Sequence, residues 1–166
     1  MKTTENTAEQ FVQLIEQHQK LIWKVAAVYC SESEARKDLS QEIILQLWKS
    51  FPKYDPKHKF STWAYRVALN VAISKYRAKS TRKRTKHNYF KQGEWLVWGT
   101  PNWEEEKIER LYQCIGKLKP LDRALIVLYL DGHSGQEVAE IMGFSLSNVS
   151  TRIHRIKQLL KDCVKS

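Results

Sequence analysis

Apolar residues recur at helical spacing along most of this chain, and no stretch alternates between apolar and polar residues as a half-buried strand would. The pattern predicts a first helix from Glu9 with a break near His18, and it leaves residues 1–8 as a polar, frayed terminus. A second helix is predicted from a cap at Ser33, and a third from a cap at Ser61. The predicted fold class is therefore all-α.

The helical periodicity is weakest in the middle of the chain. Residues 85–103 are punctuated by two glycines and a proline, and we predict that they form a flexible linker. They would join two small helical bundles, residues 9–84 and residues 104–163. The linker also carries three tryptophans, which either fold back on one of the bundles or dock on a partner. These residues are Trp95, Trp98 and Trp103.

The stretch from Leu121 to Lys161 is predicted to contain a helix-turn-helix. Ser134 and Glu137 have the spacing of a capping box at the start of a short helix. Gly143 follows where the turn requires a residue that tolerates a positive φ, and Ser145 can cap the next helix. An ordinary amphipathic hairpin with a solvated polar face is the alternative.

The last predicted helix has an apolar side and a polar side. Val149, Ile153, Ile156 and Leu160 recur at spacings of four, three and four, which predicts that they are buried. The other side begins with short polar groups and continues with cations. This order suits a helix whose first residues approach base edges in the major groove while later residues contact phosphates. The candidate DNA-contacting residues are Ser147, Asn148, Ser150, Thr151, Arg152 and Arg155.

The composition is that of a basic protein. The 166 residues include 28 lysines and arginines against 18 acids, a formal net charge of +10, which favours a polyanion such as nucleic acid as partner. Cys30, Cys114 and Cys163 are far apart, so we expect them to pack as small apolar residues in a reducing compartment, without a disulfide framework or a metal site. The sequence shows no signal peptide and no apolar run long enough to span a membrane, which predicts a cytoplasmic protein.

An acidic and amide-rich surface interrupts this basic sequence on the second predicted helix. It consists of Asp38, Gln41, Glu42 and Gln46. A solvated face is the simple interpretation. The alternative is a protein-docking surface that is acidic so that it does not compete for DNA.

The third predicted helix combines a stripe of small residues, suited to close packing, with aromatic, amide and cationic side chains. Rings stack on bases, an amide reads a base edge and cations hold the backbone, as single-strand binding requires. Trp63 could equally be a core residue. A one-sided basic run from Lys75 to Lys91 favours phosphate contact. The residues on the flanks and exposed side of the stripe are Trp63, Tyr65, Arg66, Asn70, Ile73, Tyr76 and Arg77.

Three motifs together resemble a known family. Residues 38–42 (DLSQE), followed by Trp48, are similar to a D-L-x-Q-E helix, and residues 60–70 (FSTWAYRVALN) to an F-x-x-W-L-Y-R-I-A-x-N helix. Residues 118–155 are similar to an L-x-P-x-x-R helix followed by a helix-turn-helix. In this order the motifs resemble those of bacterial RNA polymerase sigma factors of the extracytoplasmic-function (ECF) group, in the sigma-70-type family. The resemblance extends from Phe11 to Leu160.

The resemblance implies two domains, matching the family's regions two and four, and a role for each motif. The first motif would dock on the clamp helices of the polymerase's largest subunit, and the second would open the minus-ten element and capture a flipped base. The helix-turn-helix would read the minus-thirty-five element as duplex. The residues implied in docking are Asp38, Gln41, Glu42 and Trp48. Those implied at the minus-ten element are Lys59, Trp63, Arg66, Asn70 and Arg77.

The function that follows is an alternative sigma factor, with core RNA polymerase and promoter DNA as partners. The resemblance also implies an anti-sigma factor, although no residue identifies one. A stand-alone helix-turn-helix regulator is the alternative, but it leaves the first two motifs without a role. An enzyme is disfavoured, because no carboxylate pair, metal-ligand spacing or phosphate-binding glycine loop stands out. We therefore expect no catalytic residue, cofactor, metal or small-molecule substrate, and no membrane insertion.

Overall fold

A computed structural model describes the backbone of residues 2–82 and 103–166 and the side chains of residues 5–80 and 106–166. Regular structure in these ranges is entirely helical, which confirms the predicted all-α fold class. A short 3-10 helix, Phe51–Lys53, follows the third α-helix. The α-helices are α1 Lys2–Gln17, α2 Gln19–Tyr29, α3 Ser33–Ser50, α4 Phe60–Arg82, α5 Trp103–Gly116, α6 Pro120–Leu130, α7 Gly135–Met142 and α8 Leu146–Lys165.

Helices α1 to α4 form the first bundle. The predicted break falls at His18, whose Nδ1 lies 2.8 Å from the Leu14 carbonyl oxygen. The prediction of a frayed terminus is wrong, because α1 begins at Lys2 and carries Glu5 in its first turn, where a negative charge favours the helix dipole. The core of this bundle includes the buried side chains Phe11, Val25, Ala26, Leu39, Ile43, Leu47, Ala64, Ala68 and Ala72.

Two predicted helix caps are wrong, the first by one residue and the second by two. Helix α3 begins at Ser33 itself, with Glu32 in the extended N-cap conformation. Helix α4 begins at Phe60, so Ser61 lies inside its first turn. The Phe60 ring is buried and packs 5.5 Å from the Trp63 ring, so tertiary packing decides where α4 starts.

The buried side of α4 is wider than the small-residue stripe predicts. Tyr65 and Ile73 were expected off the stripe, on its flanks or exposed side, yet only 1% and 7% of their surfaces are exposed. The Tyr65 hydroxyl donates a hydrogen bond to Asp131 Oδ2 at 2.5 Å, and Asp131 belongs to the second bundle. That bundle covers a side of α4 that an isolated first bundle would expose to solvent.

Helices α5 to α8 form the second bundle, and its helix-turn-helix follows the prediction. The Ser134 hydroxyl accepts a hydrogen bond from the Glu137 amide at 3.1 Å, and the Ser145 hydroxyl accepts one from the Asn148 amide at 3.2 Å. Gly143, between the two helices, has a φ of +72°, in the left-handed region that favours glycine. The predicted apolar side of α8 is buried: Val149, Ile153, Ile156 and Leu160.

The prediction for the cysteines is wrong for two of the three. Cys114 of α5 and Cys163 of α8 form a disulfide, with their Cα atoms 6.0 Å apart. These residues are 49 positions apart and meet because α5 and α8 pack side by side, which their spacing in the sequence does not reveal. Cys30 is a free, half-buried thiol.

The two bundles lie against each other, with α2 and α4 of the first contacting α6 and α7 of the second. The bounds proposed for the two domains remain predictions. Most of the proposed linker, including Trp95 and Trp98, lies outside the described residues, as do the Trp103 side chain and the end of the basic run beyond Arg82. None of the described helices is both long and apolar enough to cross a membrane.

Candidate protein and nucleic-acid interfaces

One face of α3 is acidic, amide-rich and partly apolar. The predicted docking residues Asp38, Gln41, Glu42 and Trp48 are all exposed, and at 100° per residue they fall within about a third of the helix circumference. Leu45 lies at the centre of this face with 52% of its surface exposed, and sequence reasoning missed it. In the sequence, Leu45 already falls outside the apolar stripe of this helix, and that position could have predicted its exposure. An exposed leucine beside an exposed tryptophan is typical of a contact surface.

The Trp48 side chain is held on one side and open on the other. Its ring lies 5.0 Å from that of Phe11, which in turn lies 5.2 Å from Phe51, and 42% of Trp48 is exposed. A large ring already fixed by its neighbours loses little conformational freedom on binding, as expected of an anchor residue in an interface.

The predicted minus-ten residues share one face of α4. Lys59, Trp63, Arg66, Asn70 and Arg77 are spaced by four, three, four and seven residues, which places them within about 60° of one another around the helix axis. Four of them are exposed, and Trp63 is half-buried. The fold therefore brings the whole set together along one stripe.

Trp63 is both a packing residue and an accessible one. Its ring lies 5.0 Å from Tyr54 and 5.5 Å from Phe60, in an aromatic cluster that also includes Phe51 at 6.3 Å. The half-buried ring still has part of its surface in solvent. A ring fixed in this way can offer a rigid surface for stacking to a base.

Asn70 lies in a groove of about 640 Å³ between α3 and α4. Lys75 Nζ pairs with Glu42 at 3.1 Å beside it, so a predicted docking residue and a basic residue of α4 meet in the same groove. The docking face and the minus-ten face are therefore continuous. The lining residues are Glu42, Gln46, Ser50, Val67, Asn70, Val71, Ser74 and Lys75.

The polar side of α8 contains four exposed polar residues near its start and two arginines that pair with a carboxylate of another helix. Ser147, Asn148, Ser150 and Thr151 are exposed at the start of the helix. Arg152 and Arg155 are attached to the body of the bundle. All four are therefore open to solvent, whereas the two arginines are held by an ion pair, although Arg155 also remains exposed.

The partner of both arginines is Asp122 of α6, which sequence reasoning missed. Arg152 Nη1 lies 3.4 Å from Asp122 Oδ1, and Arg155 Nη2 lies 3.3 Å from Asp122 Oδ2. Arg152 Nε also donates to Asn148 Oδ1 at 2.8 Å. Only 4% of Asp122 is exposed, and a carboxylate in a helix whose only other charged residue is Arg123 was the signal that a cation must pair with it.

Comparison with known proteins assigns this arrangement to a family. The models of sigma-70 region 2 and sigma-70 region 4 match residues 14–82 and 108–160. The chain is 30% identical over 141 residues to RNA polymerase sigma factor YlaC of Bacillus subtilis (strain 168), with 80% of each chain covered. The chain belongs to the ECF group of sigma-70-type sigma factors. The ECF RNA polymerase sigma factor SigW of the same organism is 27% identical over 170 residues, covering 91% of this chain and 87% of that protein.

A solved structure supports the fold of this sigma factor. The sigma factor RpoE of Bartonella quintana, in complex with the anti-sigma factor NepR, superposes with a TM-score of 0.75 at 17% identity, over 95% of this chain and 98% of that chain. The family models and the similarity to YlaC confirm the family resemblance inferred from the three sequence motifs. Region 2 of the sigma factor corresponds to the first bundle and region 4 to the second.

Proposed function

We propose that this sigma factor binds core RNA polymerase, directs it to specific promoters and helps to melt the minus-ten element. The observation that carries the proposal is that α3, α4 and α8 each expose one face whose residue types suit a different partner. The faces occur in the order protein docking, single-strand contact and duplex contact along the chain.

The docking step is supported by the chemistry of α3. Its exposed carboxylates repel DNA phosphates, so that a basic protein can keep this face for a protein partner. Leu45 and Trp48 supply the apolar contact that gives such an interface its affinity. The Glu42 carboxylate also pairs with Lys75 inside the chain, so a partner that binds Glu42 must compete with that pair.

The melting step is supported by the stripe on α4. Extruding a base from a duplex costs a few kcal/mol, which stacking on a ring and hydrogen bonds to the base edge must offset. Trp63 offers the ring, and Asn70 offers both a donor and an acceptor in the neighbouring groove. Lys59, Arg66 and Arg77 provide charge for the phosphates along the same stripe.

The reading of the minus-thirty-five element is supported by α8. The exposed serine, asparagine and threonine groups at its start are short enough to let the backbone approach base edges in the major groove. Arg152 and Arg155, oriented by Asp122, would set the register against the phosphate backbone or a guanine. We further propose an anti-sigma factor as a regulatory partner and the cytoplasm as the site of action, on the nucleoid when the protein is part of the holoenzyme.

The first experiment is co-elution of the purified chain with core RNA polymerase. Gln41→Ala together with Glu42→Ala should abolish co-elution, because both changes lie on the docking face. The matched control is Glu16→Ala together with Gln17→Ala, which removes the same two residue types from exposed positions of α1. No binding to core polymerase, with sequence-specific binding to duplex DNA by the chain alone, would instead identify a stand-alone helix-turn-helix regulator.

A second experiment separates promoter opening from promoter binding. Asn70→Ala should reduce the permanganate reactivity of the minus-ten region several-fold in the holoenzyme, since loss of one hydrogen-bonding group costs about 1 kcal/mol, and should leave duplex binding unchanged. Gln17→Ala, which removes an exposed amide from α1, is the control. A normal bubble in the Asn70→Ala holoenzyme would refute the assignment of Asn70.

A further inference from the structure

The polar residues of α8 lie at different angles from the middle of its exposed side. At about 100° per residue, the four buried residues of α8 centre on one direction, and Thr151 lies almost opposite that direction. Arg155 lies about 50° from the middle of the exposed side, whereas Arg152 lies about 110° from it, close to the buried residues. A duplex that approaches α8 from solvent therefore meets Arg155 before Arg152.

The exposure of the two arginines agrees with these angles. The Arg155 side chain is 60% exposed, and the Arg152 side chain is 33% exposed. The Arg152 guanidinium also lies 5.1 Å from the centre of the Phe144 ring, in the turn before α8. A ring face attracts a guanidinium and holds it against the protein surface. Arg152 is thus the more restricted of the two arginines.

The hydrogen bonds distinguish the two arginines further. Arg152 Nε donates to Asn148 Oδ1 at 2.8 Å, and Arg152 Nη1 lies 3.4 Å from Asp122 Oδ1. Of the Arg155 nitrogens, only Nη2 has a partner among the described residues, at 3.3 Å from Asp122 Oδ2. A guanidinium can make a bidentate contact through either of two edges, one formed by Nε and Nη2 and the other by Nη1 and Nη2.

These contacts leave a complete edge only on Arg155. Its Nη2 carries one N–H group on each edge, so a bond from one of them to Asp122 leaves the other edge intact. Arg152 has lost its Nε edge to Asn148, and its remaining edge includes the Nη1 that faces Asp122. A bidentate contact from an arginine edge to O6 and N7 is the commonest way to read a guanine. Arg155 is the arginine of α8 that is free to make it.

The Asp122 carboxylate links the behaviour of the two arginines. Asp122 is buried, and each of its oxygens faces one guanidinium. A buried carboxylate oxygen without a donor costs free energy, so an oxygen that loses its partner recruits another. Without Arg152, both oxygens would be left to Arg155, and a bidentate pair would draw Arg155 back from the exposed side.

We propose that Arg155 reads a guanine of the minus-thirty-five element in the major groove, and that Arg152 is a positioning residue that keeps Arg155 available by occupying Asp122. The guanine accepts hydrogen bonds at O6 and N7 from the free edge of Arg155. The inference rests on the proposed reading of duplex DNA by α8. It does not depend on whether the chain acts with core polymerase or alone, since both modes of action would use this helix.

The reading role is tested by selecting duplexes from a library with a randomised block, using the full chain in complex with core polymerase. The unmodified complex should prefer guanine at one position of the selected element. Arg155→Met should reduce that preference roughly tenfold, the scale of discrimination by a bidentate contact, and should leave the other positions unchanged. Arg110→Met, which removes an arginine from an exposed position of α5, is the control for the loss of one positive charge.

The positioning role is tested by Arg152 variants in the same selection. Arg152→Met should reduce the guanine preference at the position that depends on Arg155, and at no other position. Arg152→Lys should retain most of that preference, because a lysine ammonium can still occupy Asp122. Arg155→Lys should lose it, because a point charge does not replace a planar guanidinium at a bidentate site. When Asp122→Asn is present, Arg152→Met should have no further effect, because no carboxylate remains to capture Arg155.

Several outcomes would overturn the inference. Unchanged preferences in Arg155→Met, or loss of a preference for a base other than guanine, would refute the reading role. A second position whose preference depends on Arg152 would show that Arg152 itself reads a base. An equal loss at every position in Arg152→Met would indicate a purely structural role in the second bundle.

Failure of the proposed function gives a different result. If the chain does not bind core polymerase, the selection is made with the chain alone. A guanine preference that depends on Arg155 would then retain the inference and lose the assignment of polymerase binding. A complex with core polymerase whose preferences survive in both arginine variants would retain that assignment and lose the inference. A chain that selects no duplex sequence, with or without polymerase, would overturn both.

Discussion

Asp122 illustrates how a single buried charge can act on a distant surface. Its carboxylate is almost fully buried, and its two oxygens each face one arginine of α8. Near DNA, a negative charge by itself weakens binding, so removal of the charge should strengthen non-specific attraction. If Asp122 instead serves to orient Arg152 and Arg155, its removal should weaken specific binding.

We predict that the second effect dominates for duplex carrying the minus-thirty-five element. Asp122→Asn should weaken specific binding about fivefold to tenfold, since a well-oriented arginine contact is worth roughly 1–3 kcal/mol, while non-specific binding is unchanged or tighter. Holoenzyme titrations with specific and random duplexes measure both. Asp162→Asn, the same change at an exposed position of α8, is the control, and equal specificity ratios for the two variants would contradict the prediction.

At the scale of single elements, the sequence predicts best where the signal is local. Ser134, Gly143 and Ser145 define the helix-turn-helix because each acts within three residues of its own position. The caps expected at Ser33 and Ser61 were displaced by one and two residues, in the second case because Phe60 is drawn into an aromatic cluster. Local capping preference is worth about 1 kcal/mol, which packing of a large ring can exceed.

Contacts between elements left almost no trace in the sequence. The residues proposed on the α3 and α4 faces do lie on one side of each helix, since they recur with the helix period, although the buried side of α4 is wider than predicted. The Asp131 contact with Tyr65 and the pairing of Asp122 with two arginines join residues 30 to 66 positions apart. No sequence periodicity reveals contacts between residues so far apart along the chain. The burial of Tyr65 and the pairing of Arg152 with Asp122 therefore became visible only in the structure.

The disulfide between α5 and α8 leads to a prediction about stability. A cross-link between residues 49 apart restricts the unfolded chain and should contribute about 2–4 kcal/mol to the free energy of unfolding. Urea denaturation followed by circular dichroism should show this loss when dithiothreitol is added. Cys30→Ser should behave in the same way, whereas Cys114→Ser should be insensitive to the reductant. Three reactive thiols in the air-oxidised, denatured chain would contradict the bond.

At the scale of the whole molecule, the choice of a promoter requires both bundles on DNA at once. The net charge of +10 gives the chain an affinity for any nucleic acid, which does not distinguish a promoter from the rest of the genome. By their names, the minus-ten and minus-thirty-five elements lie about 25 base pairs apart, which is roughly 85 Å of duplex at ~3.4 Å per pair. Because the bundles lie against each other in this structure, we expect them to separate on assembly with core polymerase, the partner for which the α3 face remains exposed.

This separation predicts a change in side-chain accessibility when polymerase binds. Tyr29, Tyr76 and His133 lie in the interface between the bundles, so separation should increase their oxidation by hydroxyl radicals several-fold. Phe51 and Tyr54, which stack on each other inside the first bundle, should keep their reactivity and serve as internal controls. Mass spectrometry of the free chain and of the chain with core polymerase, both without DNA, makes the comparison. If the three interface residues react equally in both samples, polymerase docks on a chain that is still closed, and promoter DNA must separate the bundles instead.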